Sequence, residues 1–170
     1  LEARCGLRLD PPPLLVTFHP VTLEFERTEW QARELLAALE SSGYPVVFTL
    51  PNADTNGRVI IRLIEAFARS HSHAQMVDNL GTQGYFSMMR AAAAMVGNSS
   101  SGILEAPSFR LPVVNIGSRQ HGRLRAGNVI DVGYGRDGIL AGIRRAVQPS
   151  FRESLKNMMN PYCGGNAAET

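Results

Sequence analysis

A serine-rich loop between two glycines is the part of the sequence whose residue types best fit a chemical role. The glycines let the backbone approach a ligand, and free N–H groups at the start of the following helix can face an anion. The serine hydroxyls add hydrogen-bond donors, and an acid three residues later could accept hydrogen bonds from a pair of ribose hydroxyls. The residues concerned are Gly97, Asn98, Ser99, Ser100, Ser101, Gly102 and Glu105.

The same loop also has an ordinary structural interpretation. Serine and asparagine are common in polar turns, and a serine often caps the first turn of a helix. Taken alone, the loop therefore leaves two hypotheses open, a phosphate-and-sugar site and a plain strand-to-helix turn.

Short apolar runs alternate with helical patterns along the whole chain. Strands are predicted at residues 14–18, 45–50, 74–80, 94–97, 112–116 and 129–132. Helices are predicted from Thr28 to a stop at Gly43, with Thr28 and Gln31 as a capping box. Further helices are predicted at residues 58–70, 85–93, 103–109, 138–147 and 151–158.

This alternation is typical of an α/β fold, with a parallel sheet covered by helices on both faces. Ligands of such folds bind at the carboxyl ends of the strands. The loops that start at His19, Asn52 and Asn98 all follow strands. We therefore expect these loops to gather on one edge of the sheet.

Length and composition indicate one globular domain of 170 residues with a net charge of +2. That charge is too small to favour nucleic acid or a membrane surface as a partner. No apolar run reaches the roughly 18 residues of a membrane span. The two cysteines lack the spacing of a metal site, and His71 with His73 has no third ligand nearby, so neither a metal nor another cofactor is predicted. This cysteine usage favours a cytoplasmic location.

The first thirteen residues end in three consecutive prolines and are predicted to be a lead-in or linker. Residues 14–170 are predicted to form the folded domain. Because the chain begins with Leu rather than Met, we expect it to be a piece of a longer protein.

Five segments occur together in one order, and their combination is more specific than any one of them. They are Thr-Phe-His-Pro-Val-Thr at 17–22, Pro-Asn-Ala-Asp at 51–54, the serine loop at 97–107, Asn-Ile-Gly-Ser-Arg-Gln-His-Gly-Arg at 115–123 and Asn-Pro-Tyr at 160–162. Together they resemble the C-terminal half of the UDP-N-acetylglucosamine 2-epimerase family. The hydrolysing branch, which feeds sialic acid synthesis, is the most similar, chiefly through the segment at 19–22.

The resemblance implies the C-terminal, Rossmann-like half of a two-domain GT-B architecture. Residues 14–170 would bind UDP-N-acetylglucosamine and UDP, and the N-terminal domain that carries the proposed proton-transfer carboxylates would be absent from this sequence. The implied reaction converts UDP-N-acetylglucosamine and water to N-acetylmannosamine and UDP, by elimination of UDP and then hydration. An isolated fragment would have little turnover, and family members often form homodimers.

The resemblance also implies roles for individual residues. His19 would be catalytic, assisting UDP departure as an acid or a charge partner. Ser99, Ser100, Ser101 and Gly102 would hold the diphosphate, Glu105 the ribose hydroxyls, and Tyr85 would stack on the uracil, with Phe86 as the neighbouring alternative. Asn52 and Asp54 would face the sugar-phosphate region, and Arg119 would lie near the nucleotide.

Each of these residues also has a structural alternative. His19 could be a strand-end histidine that bonds to backbone, and Tyr85 could be a core aromatic. Asn52 and Asp54 also suit an ordinary turn, and Arg119 suits a solvated basic loop. At the level of function, the alternatives are a non-hydrolysing 2-epimerase domain, a GT-B glycosyltransferase domain and a stand-alone module that binds a UDP-sugar.

Overall fold

The computed structural model describes residues 6–51, 55–78 and 80–163. Six strands form one parallel sheet in the order β3-β2-β1-β4-β5-β6. The strands are β1 Leu14–Thr17, β2 Val46–Thr49, β3 Ala74–Val77, β4 Ala94–Gly97, β5 Val113–Ile116 and β6 Val129–Val132. The predicted parallel sheet is confirmed, and the chain order reverses direction between β1 and β4, where α/β proteins form ligand crevices.

Helices cover both faces of this sheet, because alternate strand residues point to opposite sides and both sides are buried. Leu14 and Val16 of β1 face a core formed with α1, α2 and α5, whereas Leu15 faces a second core formed with α3. The helices are α1 Thr28–Ser42, α2 Thr55–Ser70, α3 Gly81–Ala91, α4 Ser101–Leu104, α5 Arg136–Ala146 and α6 Pro149–Ser154. Two 3-10 helices, Thr22–Arg27 and Ala106–Phe109, complete the set.

Several helix boundaries differ from the predictions. The helix α2 begins three residues before the predicted residue 58, and α3 begins four residues before residue 85. Burial of Met88 and Met89 against the sheet stabilises α3 despite its glycines, so packing outweighs local propensity. The predicted helix 103–109 is two pieces, α4 and a 3-10 helix, because Pro107 has no N–H for a continuous α-helical ladder.

The capping box predicted at the start of α1 is wrong. Thr28 follows directly on a 3-10 helix and already has helical backbone angles, and its buried hydroxyl has no hydrogen-bond partner among the described residues. Gln31 does not reach back to Thr28 but donates from Nε2 to the Glu24 carboxylate at 2.7 Å. The predicted stop is confirmed, since Gly43 ends the helix with a φ of 70°.

Close contact between β1 and the end of β4 brings together two of the three predicted loops, those that start at His19 and Asn98. A Cβ atom at Gly97 would lie 1.9 Å from the carbonyl oxygen of Thr17, so only glycine fits there. The next residue, Asn98, donates its backbone N–H to the same carbonyl at 3.1 Å. The serine loop therefore starts immediately beside the loop that carries His19.

None of the helices in the described part of the chain combines the length and the apolar character that a membrane span requires.

Candidate functional site

A cavity of about 540 Å³ opens at the carboxyl edge of the sheet, between α3 and the serine loop. It brings together three residues that the sequence singled out from separate segments, Tyr85, Ser101 and Glu105. The full lining consists of Thr49, Asp78, Leu80, Gly81, Thr82, Tyr85, Phe86, Ser101 and Glu105. The cavity thus combines two aromatic rings, two carboxylates and three hydroxyl-bearing side chains besides Tyr85's phenol.

The Glu105 carboxylate is a group of this cavity with unused hydrogen-bonding capacity. Its Oε2 atom is buried and has no hydrogen-bond partner within the described residues. A buried polar atom without a partner is unfavourable. Other buried side-chain atoms of the described residues, such as Thr28 Oγ1 and Gln120 Oε1, are in the same state, and Glu105 is the one of these residues that lines this cavity. Because Glu105 lines the cavity, its carboxylate is placed to accept a hydrogen bond from a hydroxyl group of a molecule bound there.

The two aromatic rings of the cavity belong to neighbouring residues of α3. Tyr85 is half-buried and packs against the second core, so its core role and its cavity role coexist. Phe86 is exposed, and its ring centroid lies 5.4 Å from that of Phe109. Either ring offers a face on which a planar base can stack, so both remain candidates.

The serine loop is bonded largely to itself. The hydroxyl of Ser99 accepts a hydrogen bond from the N–H of Ser101 at 3.3 Å, and the N–H of Gly102 donates to the carbonyl of Ser99 at 3.2 Å. Among the described residues, the backbone N–H groups of Ser99 and Ser100 have no acceptor. These two groups are the loop's available donors for an anion.

Gly102 has a packing role in addition to its place in the loop. A Cβ atom at this position would lie 2.9 Å from Cγ1 of Val113 in β5 and 3.7 Å from the Met95 sulfur. The glycine lets α4 lie close to the sheet, and this closeness sets where the loop begins.

Asn98 joins the serine loop to the loop after β1. Its side chain is fully buried, accepts the backbone N–H of His19 at 2.7 Å and donates to the His19 carbonyl at 2.8 Å. The backbone of His19 is therefore fixed from both sides. Sequence reasoning missed this role of Asn98, for which the only signal was an amide between a strand-end glycine and the serines.

The loop after β5 is tied to the same residue. Arg119 Nη1 donates to the Asn98 carbonyl oxygen at 3.1 Å, and Gln120 Nε2 donates to it at 2.8 Å. Burial, and to a lesser degree the nearby Arg123 charge, lower the pKa of Arg119 from its ordinary value. His19 and Asn98 therefore lie together at the carboxyl edge of the sheet, as predicted for the loops that they begin, and Arg119 lies beside them. The predicted residues Asn52 and Asp54 lie outside the described residues.

The known proteins that this chain resembles are described as 2-epimerases of nucleotide sugars. Residues 5–170 match the family model for UDP-N-acetylglucosamine 2-epimerase. The "GDP/UDP-N,N'-diacetylbacillosamine 2-epimerase (hydrolyzing)" of Campylobacter jejuni is 44% identical over 133 residues, which are 77% of this chain and 35% of that protein. The "UDP-N,N'-diacetylbacillosamine 2-epimerase (hydrolyzing)" of Legionella pneumophila is 35% identical over 98% of this chain and 43% of its own length.

A solved structure supports the fold. The UDP-GlcNAc 2-epimerase of Neisseria meningitidis, solved with UDP-GlcNAc bound, has a TM-score of 0.73 at 19% identity, covering 95% of this chain and 43% of that one. The chain therefore spans less than half the length of the proteins it matches. On the family match over almost all of its residues, the chain belongs to the UDP-N-acetylglucosamine 2-epimerase family.

Proposed function

We propose that this chain is the UDP-binding half of a hydrolysing UDP-sugar 2-epimerase. The observation that carries the proposal is the position of Glu105, which lines the cavity with Tyr85 and Ser101 and whose Oε2 has no hydrogen-bond partner among the residues that the structure describes. Glu105 accepts hydrogen bonds from the ribose hydroxyls, the aromatic face of Tyr85 or Phe86 holds the uracil, and the diphosphate lies at the serine loop. Each contact uses a group that the protein itself leaves available.

In this proposal, hydrogen-bond donors lie where the reaction generates negative charge on the diphosphate. Elimination of UDP leaves negative charge on the departing phosphate, and preorganised donors stabilise such charge. The N–H groups of Ser99 and Ser100 and the guanidinium of Arg119 supply donors of this kind. His19, held at the same edge by Asn98, assists departure as an acid or as a charge partner.

The complete reaction needs more than this chain. In the proposed mechanism a base removes the weakly acidic C2 proton of the sugar, UDP leaves, and water adds to the resulting glycal. The chain spans 35% and 43% of the length of the two bacterial relatives, and we propose that the carboxylates for proton transfer lie in a part of the whole protein outside these residues. The chain alone is expected to bind nucleotide without turning over substrate.

Asp78 supports a second candidate ligand, a guanosine diphosphate sugar. Its carboxylate lines the same cavity as the two aromatic rings. Guanine presents two adjacent N–H donors that a carboxylate can accept together, whereas uracil presents one N–H between two carbonyl oxygens. The Campylobacter jejuni relative is named for both GDP and UDP substrates.

Calorimetric titration of the chain with UDP, GDP, CMP and ADP tests the proposal. We expect UDP to bind more tightly than CMP and ADP, and we expect Glu105→Ala to weaken that binding. Tighter binding of GDP than of UDP would favour the guanosine candidate. A folded sample that binds none of the four nucleotides would contradict the proposed function.

A further inference from the structure

A hydrogen-bonded cluster around Glu24 joins the 3-10 helix Thr22–Arg27 to the loop after β5. One carboxylate oxygen of Glu24 accepts the hydroxyl of Ser118, and the other accepts Nε2 of Gln31 at 2.7 Å. The phenol oxygen of Tyr134 lies 3.4 Å from the Ser118 hydroxyl that makes this contact. Ser118 and Glu24 are 94 residues apart in the chain, so this contact is tertiary.

The loop after β5 is shaped to make this contact. A Cβ atom at Gly117 would lie 2.1 Å from the ring of Tyr134, and the φ of Gly117 is 71°, so the ring lies directly on a glycine backbone. The phenol oxygen of Tyr134 then accepts the N–H of Ser118 at 3.3 Å. The position of Ser118 is therefore fixed from its backbone and from its side chain.

Ser118 immediately precedes Arg119, whose guanidinium donates to Asn98 beside the serine loop. We propose that Glu24 is a positioning residue that holds the Arg119 loop against the diphosphate side of the nucleotide site. This inference rests on the proposed function and extends it to a residue that does not line the cavity.

The 3-10 helix has little other support. It buries none of its side chains, and Leu23 and Phe25 are 95% and 57% exposed. Apolar packing therefore does not anchor this segment, and the hydrogen bonds of Glu24 do. Their removal should change the geometry of the Arg119 loop while leaving both hydrophobic cores intact.

The test compares Glu24→Ala with Glu26→Ala by titrating each variant with UDP and with uridine. Glu26 is exposed on the same 3-10 helix and has no hydrogen-bond partner within the described residues, so it controls for the loss of one negative charge there. We expect Glu24→Ala to weaken UDP binding about two- to tenfold, the effect of a misplaced hydrogen bond, and to leave uridine affinity unchanged. We expect Glu26→Ala to change neither affinity.

Ser118→Ala removes the same contact from the other side and provides a second variant. We expect the double variant with Glu24→Ala to lose no more UDP affinity than Glu24→Ala alone, since both substitutions break one linkage. The positioning role alone would be overturned if Glu24→Ala lost equal affinity for UDP and for uridine. It would also be overturned if the wild-type chain bound UDP and Glu24→Ala bound it equally well. A wild-type chain that binds neither UDP nor GDP would overturn the proposed function and this inference together.

Discussion

Two neighbouring regions at the carboxyl edge of the sheet differ in whether their polar side chains have hydrogen-bond partners within the protein. The Asn98 side is formed by His19, Asn98 and Arg119. The side-chain amide of Asn98 bonds to both the N–H and the carbonyl of His19. The backbone carbonyl of Asn98 accepts hydrogen bonds from the side chains of Arg119 and Gln120. On the cavity side, formed by Tyr85 and Glu105, one carboxylate oxygen of Glu105 is buried and has no hydrogen-bond partner in the described part of the chain. The first region uses its hydrogen bonds to fix loops, whereas the second leaves one acceptor unused, and we propose that this acceptor binds a ligand.

This difference predicts opposite consequences of substitution. Removing a polar side chain from the Asn98 side should lower stability with or without ligand. Removing Glu105 should weaken ligand binding and leave the stability of the free chain intact, because an unpartnered buried carboxylate does not stabilise the fold.

The largest effect is expected from Asn98→Ala. The substitution removes the two hydrogen bonds to the His19 backbone and leaves a cavity at a fully buried position, so the free energy of unfolding should fall by about 2–5 kcal/mol. Urea denaturation measures this change. Asn157→Ala, at an exposed position, serves as the control and should stay within about 0.5 kcal/mol of wild type. Similar values for the two variants would remove the distinction between the regions.

Glu105→Ala should have the next largest effect, and on a different quantity. Loss of hydrogen bonds to a charged group should weaken UDP binding by about 1–3 kcal/mol, measured by calorimetry. The free energy of unfolding without ligand should be unchanged or higher. A less stable variant with wild-type UDP affinity would assign Glu105 to the fold rather than to the site.

Replacement of Tyr85 and Phe86, the two aromatic residues of the cavity, tests which ring holds the base. Stacking on a base contributes about 1–3 kcal/mol, so leucine at the ring that holds the base should weaken UDP binding by about 1–2 kcal/mol. Parallel titrations of Tyr85→Leu and Phe86→Leu identify that ring as the one with the greater loss. If neither variant loses affinity, the base does not lie against α3.

The smallest predicted effect is a pH dependence at Glu24. The hydrogen bond from Ser118, with smaller contributions from Tyr134, Gln31 and the charge of Arg27, lowers the pKa of Glu24 from its ordinary value of 4.5. A lowered carboxylate pKa stabilises the fold at neutral pH, and this contribution is lost as the pH falls below 4.5 through the lowered value. The stability difference between wild type and Glu24→Gln should therefore shrink on acidification, as thermal unfolding across that range can measure. A difference that grows in acid would contradict this sign.

The sequence predicted the sheet better than the helices. The strands β4 and β6 have the predicted bounds because short buried apolar runs between glycines and polar loops have few alternatives in an α/β chain. The capping box at Thr28 failed because Glu24, brought in by the preceding 3-10 helix, takes the hydrogen bond of Gln31. A tertiary contact of this kind has no local sequence signature.

For the candidate site as well, some residues could be selected from the sequence and others only from the structure. Tyr85, Ser101 and Glu105 could be selected from the family resemblance, and the structure places them around one cavity. The roles of Asn98 and Glu24 depend on loops that follow different strands, so they become visible only once the sheet order brings those loops together. Local patterns thus indicated groups that can face a ligand, but not the groups that hold them in place.

The most direct test compares UDP with 2′,3′-dideoxy-UDP as ligands of the wild-type chain and of Glu105→Ala. If Glu105 receives the ribose hydroxyls, wild type should prefer UDP by about tenfold or more, and the variant should bind both nucleotides with similar affinity. An equal preference for UDP in both proteins would show that Glu105 does not contact the ribose and would contradict the proposed placement of the nucleotide in the cavity.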